Sequence, residues 1–242
     1  MRGEVMNLVT KDESAAIAEA KPSATVVVVR ESSEGLEVLL LERSAKLTHM
    51  PGAWVFPGGK VDTADTGDTI EARARIAAAR ELKEEAGFDI DPDKLLPFSH
   101  WLTPEMVKRR FATWFYLIAV DANTVVIVDG SEIVDYRWLK PEQALAEQLS
   151  GALQAPPPTL VTLTDIEAAG SISQLERMVT ERQPPFFFPK LHEATEGMVF
   201  LYPGDAGYDT NQPLSRGARH RMVMAPGVFD YERSFDWPSF TQ

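Results

Sequence analysis

The sequence predicts a mixed α/β or α+β fold. Three observations predict it: short runs of β-branched and aromatic residues, a long segment rich in Ala, Arg and Glu, and the intermixing of such segments along the chain. The chain has 242 residues, of which 44% are hydrophobic and 25% are charged. This is an ordinary globular composition, and the chain is long enough to bury a full core.

Strands are predicted where β-branched or aromatic residues lie between turn formers. Residues 24–30 (ATVVVVR) are the clearest case, because Pro22 precedes them and a turn containing Gly35 follows. Residues 1–23 are polar and are predicted to pack loosely or to form a short helix. Further strands are predicted at 36–43, 95–102, 110–120, 133–139, 198–202 and 220–224.

Helices are predicted at three places. Residues 69–86 have a helical composition, and Gly87 is a suitable stop. Residues 141–149 begin with a proline, which is favoured in the first helical turn. Residues 171–181 form the third segment, and the prolines at 156–158 mark a break before it.

The composition excludes several kinds of site and partner. The absence of Cys excludes disulfides, zinc–thiolate sites and thiol nucleophiles. A net charge of −12 argues against binding to nucleic acid or to an anionic membrane, but not against a small polyphosphate ligand. No segment has the roughly 20 apolar residues that span a bilayer, and the acidic start is unlike a signal peptide. We therefore expect a cytoplasmic protein.

Three carboxylates share one face of the predicted helix. Glu81, Glu84 and Glu85 have the spacing i, i+3 and i+4, which stacks their side chains. They can be a solvated acidic stripe, or ligands of a metal together with a carbonyl from the upstream glycines Gly58 and Gly59. Such oxygen ligands suit Mg²⁺ or Mn²⁺ rather than zinc.

Residues 80–88 (RELKEEAGF) resemble the second half of the Nudix box, R-E-U-x-E-E-x-G-U, at every fixed position. The resemblance implies an α/β/α sandwich with a mixed sheet, and hydrolysis of a diphosphate linked to another moiety with the help of divalent cations. It implies metal ligation by Glu81, Glu84, Glu85 and the Gly58 carbonyl. It also implies that Arg80 orients the carboxylates, and that Glu84 and Glu85 take part in catalysis.

The chain departs from the first half of the box. Arg80 follows Gly59 by 21 positions instead of the family's 14, so the intervening loop has seven extra residues. The family's first Glu would fall at Ala72. We expect Glu71 or Asp68 to substitute for it.

A second resemblance concerns the substrate. Residues 39–45 (LLLERSA), Gly52 and residues 56–59 (FPGG) are similar to a signature that precedes the box in coenzyme A diphosphatases, although His49 replaces its second Arg. The resemblance implies coenzyme A or an acyl-CoA as substrate, with Arg43 binding phosphate. Lys60 and Arg110 are further candidates for substrate binding, and each can equally be an ordinary surface charge. Alternative functions are hydrolysis of nucleotide sugars, ADP-ribose, NADH or nucleoside triphosphates, or ligand sensing without turnover.

Glu132 precedes the strand predicted at 133–139. Many Nudix enzymes carry an acid in the corresponding loop as a metal ligand or base, which makes Glu132 a candidate catalytic residue. The alternative is a surface Glu in the turn at 129–131. By the same resemblance, residues 24–165 form the Nudix domain, residues 1–23 an N-terminal segment and residues 166–242 an extension packed on the same domain. The last 80 residues are also candidates for a homodimer contact.

Overall fold

The computed structural model describes residues 17–194, 197–225 and 228–236. Most of the predicted N-terminal segment lies outside these residues. Within them, a mixed sheet of eight strands dominates the fold, and a second sheet of four antiparallel strands follows near the C-terminus. The strands of the first sheet are β1 (Ala20–Ser32), β2 (Gly35–Arg43), β3 (Trp54–Val55), β4 (Gly58–Lys60), β5 (Leu96–Leu102), β6 (Arg110–Val120), β7 (Ile133–Leu139) and β8 (Phe186–Phe187). Those of the second are β9 (Lys190–Ala194), β10 (Gly197–Leu201), β11 (His220–Ala225) and β12 (Val228–Arg233).

Strand β1 is the centre of the large sheet. The order along the sheet is β3-β2-β1-β6-β5-β8, with β4 also paired to β1 and β7 to β2. Strand β1 runs parallel to β6 and antiparallel to β2 and β4. The sheet is therefore mixed, and its continuous apolar strand is buried on both faces, as expected for a central strand with parallel pairing.

The helices lie on both sides of this sheet. The described residues contain α1 (Ile70–Ala86), α2 (Pro141–Ser150), α3 (Pro157–Ala169) and α4 (Ile172–Thr180). Helix α1 packs one face through Ala78 and Leu82 against Val26 and Tyr116. None of these helices is both long and apolar enough to cross a membrane.

The opposite face is covered by α3, α4 and the second sheet. Val27 and Phe115 of the large sheet share one core cluster with Leu163 of α3, Leu175 of α4 and Phe200 of β10. The predicted α/β/α arrangement with a mixed sheet is thereby confirmed.

The first strand begins earlier than predicted. Ala20 to Ser23 pair in parallel with the start of β6, so the strand begins at Ala20 instead of residue 24. The Ser23 and Thr113 hydroxyls are 2.7 Å apart and share a hydrogen bond. Pairing with β6 and β4 therefore extends the strand into a polar stretch that has no strand signal of its own.

Helix α3 is absent from the helices that the sequence predicts. It begins directly at the prolines that we interpret as a break, with Pro157 in its first turn. Residues on all its sides are buried, including Leu160, Leu163 and Asp165. A helix without an exposed polar face has no amphipathic period, so the pattern that predicts α1 could not predict α3.

Candidate active site

Helix α1 presents the three predicted carboxylates near its C-terminal end. The buried side of the helix, formed by residues such as Ala78 and Leu82, fixes its rotation against the sheet. As a result, Glu85 lies inside with 6% of its surface exposed, whereas the Glu84 side chain is 58% exposed. Glu81 lies between these extremes, with 16% of its side chain exposed. One helix end thus carries a gradient of acidic groups from the interior to solvent.

Strand β4 brings backbone against these carboxylates. The Gly58 amide donates a hydrogen bond of 2.8 Å to Oε2 of Glu85. A Cβ atom at Gly59 would collide with the Glu81 carboxylate, and one at Gly58 would collide with Thr25 of β1. Glycine is therefore required at Gly58, where the backbone of β1 leaves no room for a Cβ. At Gly59 a Cβ would instead displace the Glu81 carboxylate from its present position.

Arg80 is the hub of the acidic group. Its Nη1 donates to Oε1 of Glu81 at 2.8 Å and to Oε2 of Glu84 at 3.2 Å. Its Nη2 donates to the Lys60 carbonyl at 3.0 Å. Two further hydrogen bonds go to Asp65, from Nε at 3.1 Å and from Nη2 at 3.0 Å. One planar guanidinium thus fixes side chains from the helix and from the loop before it.

The acidic groups are held in an unfavourable electrostatic state. Burial, reinforced by the charges of Glu81 and Glu132, raises the pKa of Glu85 to about 8, although the Gly58 amide and Arg43 act in the opposite direction. Burial also raises the pKa of Glu81 despite its contact with Arg80. A cation among these oxygens would relieve that cost.

A group of basic residues lies beside Glu85. Arg43, the last residue of β2, donates from Nε to the His49 carbonyl at 3.3 Å. The pKa of His49 is lowered by burial and by the nearby charges of Arg43 and Arg109. The His49 ring lies 6.2 Å from that of Phe111, centroid to centroid. Cationic side chains with an adjacent aromatic ring are suited to an anionic ligand that also carries a planar group.

Glu132 lies at the same edge of the sheet. Its carbonyl accepts a hydrogen bond of 2.8 Å from the Ser44 amide, next to Arg43. Its side chain is exposed, and its charge contributes to the raised pKa of Glu85. Asp129 closes the preceding turn by accepting from the Glu132 amide at 2.9 Å, so its carboxylate is already engaged. Of these two acids, Glu132 is the better candidate for acting on a ligand near Glu85.

The family model of the NUDIX domain matches residues 20–158, more than half of the chain. The chain belongs to the Nudix family. Curated relatives agree. The chain is 29% identical to a putative nudix hydrolase 7 of Caenorhabditis elegans, over 78% of this chain and 77% of that protein. It is 24% identical to the acyl-coenzyme A diphosphatase NUDT19 of Xenopus laevis, over 77% of this chain and 75% of that protein.

The chain is also 30% identical to the human acyl-coenzyme A diphosphatase NUDT19, over 76% of this chain and 50% of that protein. Among solved structures, a NUDIX hydrolase of Alicyclobacillus acidocaldarius has a TM-score of 0.61 and 22% identity, over 67% of this chain and 97% of its own. That similarity shows the shared fold. The family match and the curated relatives identify the protein as a Nudix hydrolase, a class of enzyme that acts on small-molecule diphosphates.

Nudix hydrolases generally use divalent metal ions, and the donor set of this chain suits one. Arg80 and Gly58 occupy one oxygen each of Glu81, Glu84 and Glu85, which leaves one oxygen of each without a protein hydrogen bond among the described residues. In residues 17–194, 197–225 and 228–236, no three acidic or His side chains are already gathered in a geometry that holds a metal ion. The oxygens therefore fit a hard cation chemically, and the side chains would have to move to gather them around it.

Three further residues, Gly58, Lys60 and Arg110, are candidates by sequence for binding the metal or the substrate. Gly58 meets the acidic group through its amide, and the ligand role of its carbonyl stays a prediction. Lys60 contributes its carbonyl to Arg80, and its side chain is exposed. Arg110 is buried, with Nε donating to the Thr103 carbonyl at 3.1 Å and Nη1 to the Ala18 carbonyl at 3.0 Å. This geometry favours a structural role for Arg110 and does not support substrate binding, whereas the charge of its neighbour Arg109 acts on His49.

Neither of the two acids expected to substitute for the first Glu of the box, Glu71 and Asp68, has a hydrogen bond or ion pair with Arg80 among the described residues. Glu71 instead faces Arg75 at 3.8 Å, and Asp68 is exposed in the loop. The partner of Arg80 is Asp65, which is buried. A sequence signal for Asp65 does exist: it follows Gly59 with five residues between, which is the spacing of the glycine and the first Glu in the family's box. The seven extra residues lie between Asp65 and Arg80, so counting back from Arg80 misses it.

Proposed function

We propose that this Nudix hydrolase cleaves the diphosphate bridge of coenzyme A or an acyl-CoA in a Mg²⁺- or Mn²⁺-dependent reaction. The observation that carries the chemistry is the acidic end of α1, where Arg80 and β4 organise three carboxylates. The substrate class is supported by the relatives named acyl-coenzyme A diphosphatase and by the basic group beside Glu85. A cytoplasmic location and homodimer formation belong to the same proposal.

Glu81, Glu84 and Glu85, with the Gly58 carbonyl, would hold the metal. When bound there, it supplies positive charge that offsets the phosphate oxygens and makes a nearby water easier to deprotonate. Arg80 keeps Glu81 and Glu84 oriented through its hydrogen bonds. Glu132 accepts the proton of the water that attacks phosphorus, and the bond to the bridging oxygen breaks. Two phosphomonoester products leave.

Arg43 and Arg109 bind the phosphates of the nucleotide half. Both charges act on His49, and the charge of Arg43 also acts on Glu85. Arg43 presents a planar fork that suits a phosphate, and Phe111 offers an aromatic face nearby. Lys60, exposed at the end of β4, remains a further candidate for contact with the substrate.

The test is a hydrolysis screen with Mg²⁺ and with Mn²⁺ across acyl-CoAs, coenzyme A, NADH, ADP-ribose, a nucleotide sugar and nucleoside triphosphates, with products identified by mass. We expect a phosphopantetheine product and adenosine 3′,5′-bisphosphate from the CoA substrates. Arg43→Ala should lower kcat/KM for them by about 10–150-fold, the value of one charged hydrogen bond. Arg177→Ala, an exposed site on α4, is the matched control. Hydrolysis of ADP-ribose or a nucleotide sugar without hydrolysis of any CoA compound would overturn the substrate class.

A further inference from the structure

The loop between β2 and β3 contains a strained backbone conformation at Met50. Met50 has φ 51°, and Asn211 is the only other non-glycine residue with positive φ in the part of the chain that the structure describes. This left-handed conformation is disfavoured for Met, because Cβ comes too close to the following carbonyl oxygen. The next residue, Pro51, favours extended backbone at Met50 instead. Strain of this kind persists only where the contacts on both sides impose it.

The turn after Met50 is fixed to the backbone of Arg43. The Ala53 amide donates to the Met50 carbonyl at 3.3 Å, which closes a turn with Pro51 and Gly52 at its centre. Gly52 has φ 68°, as the third position of a type II turn requires. The Gly52 amide donates to the Arg43 carbonyl at 3.0 Å, and the Arg43 amide donates to the Ala53 carbonyl at 2.9 Å. The turn is therefore held against the end of β2.

The peptide before Met50 is attached to the side chain of Arg43. Nε of Arg43 donates to the His49 carbonyl at 3.3 Å. The His49 ring lies near Phe111, with 6.2 Å between the ring centroids. The torsion φ of Met50 is the rotation between the His49–Met50 peptide and the turn. Its positive value therefore lets this peptide meet the guanidinium of Arg43 while the turn stays paired with the Arg43 backbone.

The outer end of the Arg43 side chain is left available for a ligand. Its Nη1 and Nη2 make no hydrogen bond or ion pair with protein among the described residues, so an anion can be bound end-on by these two donors. Arg43 pairs with Ile133 across β2 and β7, and the Ser44 amide donates to the Glu132 carbonyl at 2.8 Å. The charge of Arg43 also acts on Glu85. Arg43 therefore lies beside the acidic group, where the proposed function places the diphosphate.

We propose that Met50 is a positioning residue: its left-handed backbone fixes the His49 carbonyl on Nε of Arg43, so that Nη1 and Nη2 face a phosphate of the diphosphate bridge. The proposal rests on the phosphate binding that the proposed function assigns to Arg43. A long side chain loses rotamer freedom when it binds a ligand, and holding Nε in advance lowers that cost. Losing this hold should weaken substrate binding and leave the chemical step unchanged.

The experiment measures kcat and KM for coenzyme A in variants of Met50. Met50→Pro removes the conformation, because proline fixes φ at about −65°. We expect KM to rise about 10-fold, the low end of the effect of losing a charged hydrogen bond, with kcat nearly unchanged. Met50→Asn loses the same side chain but tolerates the left-handed conformation, so it should keep a low KM. Thr48→Ala, exposed in the same loop, is the matched control and should behave as wild type.

Thermal melting tests the strain without any substrate. Met50→Asn and Met50→Ala both lose the Met side chain, but only Asn readily adopts positive φ. Met50→Asn should therefore melt about 2–4 °C higher than Met50→Ala. Equal melting temperatures would mean that this backbone is unstrained, and the proposal would fail. The same melts show whether Met50→Pro folds; if it does not, Met50→Val, whose branched side chain also disfavours positive φ, takes its place in the kinetics.

A double-mutant cycle separates positioning from general damage. If Met50 acts through Arg43, Met50→Pro should raise KM far less in an Arg43→Ala background than in wild type. An unchanged KM in Met50→Pro, or an equal rise in both backgrounds, would overturn the proposal. Dephospho-coenzyme A, which lacks the 3′-phosphate, should show the same rise as coenzyme A, and a rise confined to coenzyme A would overturn the contact with the bridge. A wild type that cleaves no CoA compound would overturn only the proposed substrate, and the cycle is then measured on the diphosphate that the hydrolysis screen identifies.

Discussion

Glu84 is the most exposed of the three carboxylates on α1, so its replacement should separate catalysis from folding. We expect Glu84→Gln to lower kcat by at least about 100-fold, since even residues that only orient metal ligands contribute 10–100-fold. Its exposed pair with Arg80 at 3.2 Å contributes no more than about 1 kcal/mol, so the metal-free melting temperature should change little. Activity assays and thermal melts with and without Mg²⁺ measure both effects.

The control for this variant is Glu71→Gln, on the same helix but paired with Arg75. It should keep wild-type activity. Mg²⁺ should raise the melting temperature of wild type and Glu71→Gln more than that of Glu84→Gln, because a ligand that binds the native state stabilises it in proportion to its affinity. Equal activity of Glu84→Gln and wild type would remove Glu84 from the site.

Glu132 can be tested against a neighbouring acid. As a general base it should contribute about 10²–10⁴-fold to kcat, so Glu132→Gln should lower kcat by that factor while KM stays similar. Asp135→Asn is the comparison, because Asp135 is exposed on β7 and its Oδ1 accepts from the Tyr136 amide. Steady-state kinetics of both variants decide between them. Loss of activity in Asp135→Asn alone would move the base to Asp135.

Single residues also show where sequence reasoning ends. The cluster of Glu81, Glu84 and Glu85 could be predicted because helix periodicity relates positions within one element. Asp65 can be found only by counting forward from Gly59, because it keeps the family's spacing from that glycine and the extra residues follow it. Its contact with Arg80 depends on the path of a polar loop that has no periodicity. By sequence, Arg110 is a candidate for substrate binding or an ordinary surface charge; its burial against two backbone carbonyls follows from tertiary packing alone.

At the scale of elements, the end of α1 offers a stability test. Gly87 ends the helix with φ 79°, and Gly151 ends α2 with φ 78°. Alanine in this left-handed conformation costs about 1 kcal/mol, so Gly151→Ala, whose Cβ meets nothing within 4 Å, should lose about that much. At Gly87 a Cβ would lie 3.1 Å from Cβ of Ile127. Gly87→Ala should therefore lose about 1 kcal/mol more, the low end of the cost of overpacking, because the Ile127 side chain is largely exposed.

Urea unfolding of the two glycine variants measures this difference. Equal losses would mean that the segment around Ile127 moves aside without cost. That result would be unexpected, because the Ile127 amide donates to the Ala86 carbonyl at 3.0 Å and ties the segment to the helix end.

Elements with their own start and stop signals were predictable, and those defined by their neighbours were not. Helix α1 has a Thr69 cap that accepts from the Ala72 amide at 3.1 Å, and it ends at a glycine, so its bounds follow from the sequence. Strand β4 contains two glycines and exists because it pairs with β1 and leaves room for the carboxylates. Its position, which matters most for the site, comes from tertiary contacts.

At the scale of the whole molecule, buried polar groups join the C-terminal sheet to the rest of the protein. Asp165 of α3 accepts from Arg233 of β12 at 2.6 Å and from Arg182 at 3.4 Å. Within the second sheet, Asp205 of the loop between β10 and β11 accepts from Arg221 of β11 at 2.7 and 2.8 Å. Such pairs are costly to break once buried, so the second sheet should unfold together with the large one.

His220 makes this region sensitive to pH. The Pro203 carbonyl, 2.6 Å away, can only accept, so Nδ1 carries the proton of the neutral ring and Nε2 accepts from the Tyr231 hydroxyl at 3.0 Å. Burial lowers the pKa of His220 to about 4, and the Arg233 charge adds to this effect, while Pro203, Asp165 and Asp205 oppose it. Between pH 6.5 and 4 the unfolded chain therefore binds a proton that the native state does not.

The predicted consequence is a loss of stability as the pH falls. From pH 7 to 5, His220 should lower the free energy of unfolding by about 2 kcal/mol, at 1.36 kcal/mol per unit of pKa difference. Glu85 acts in the opposite direction in the metal-free protein: its raised pKa gives stability that is present at low pH and is lost as the pH rises toward 8. The free energy of unfolding of the wild type can therefore depend only weakly on pH, even though the contributions of His220 and Glu85 are each large.

Urea unfolding of wild type and His220→Gln at pH 7 and pH 5 isolates the histidine, because all other titrating groups are common to both proteins. The variant should be less stable at pH 7, since it loses the packing and hydrogen bonds of the imidazole. The difference in free energy of unfolding between the two proteins should then narrow by about 2 kcal/mol at pH 5. At that pH only wild type loses stability from keeping a histidine neutral in the folded state. A gap that is the same at both pH values would mean that His220 titrates alike in the folded and unfolded chains, and that the buried C-terminal network does not govern the acid stability of the protein.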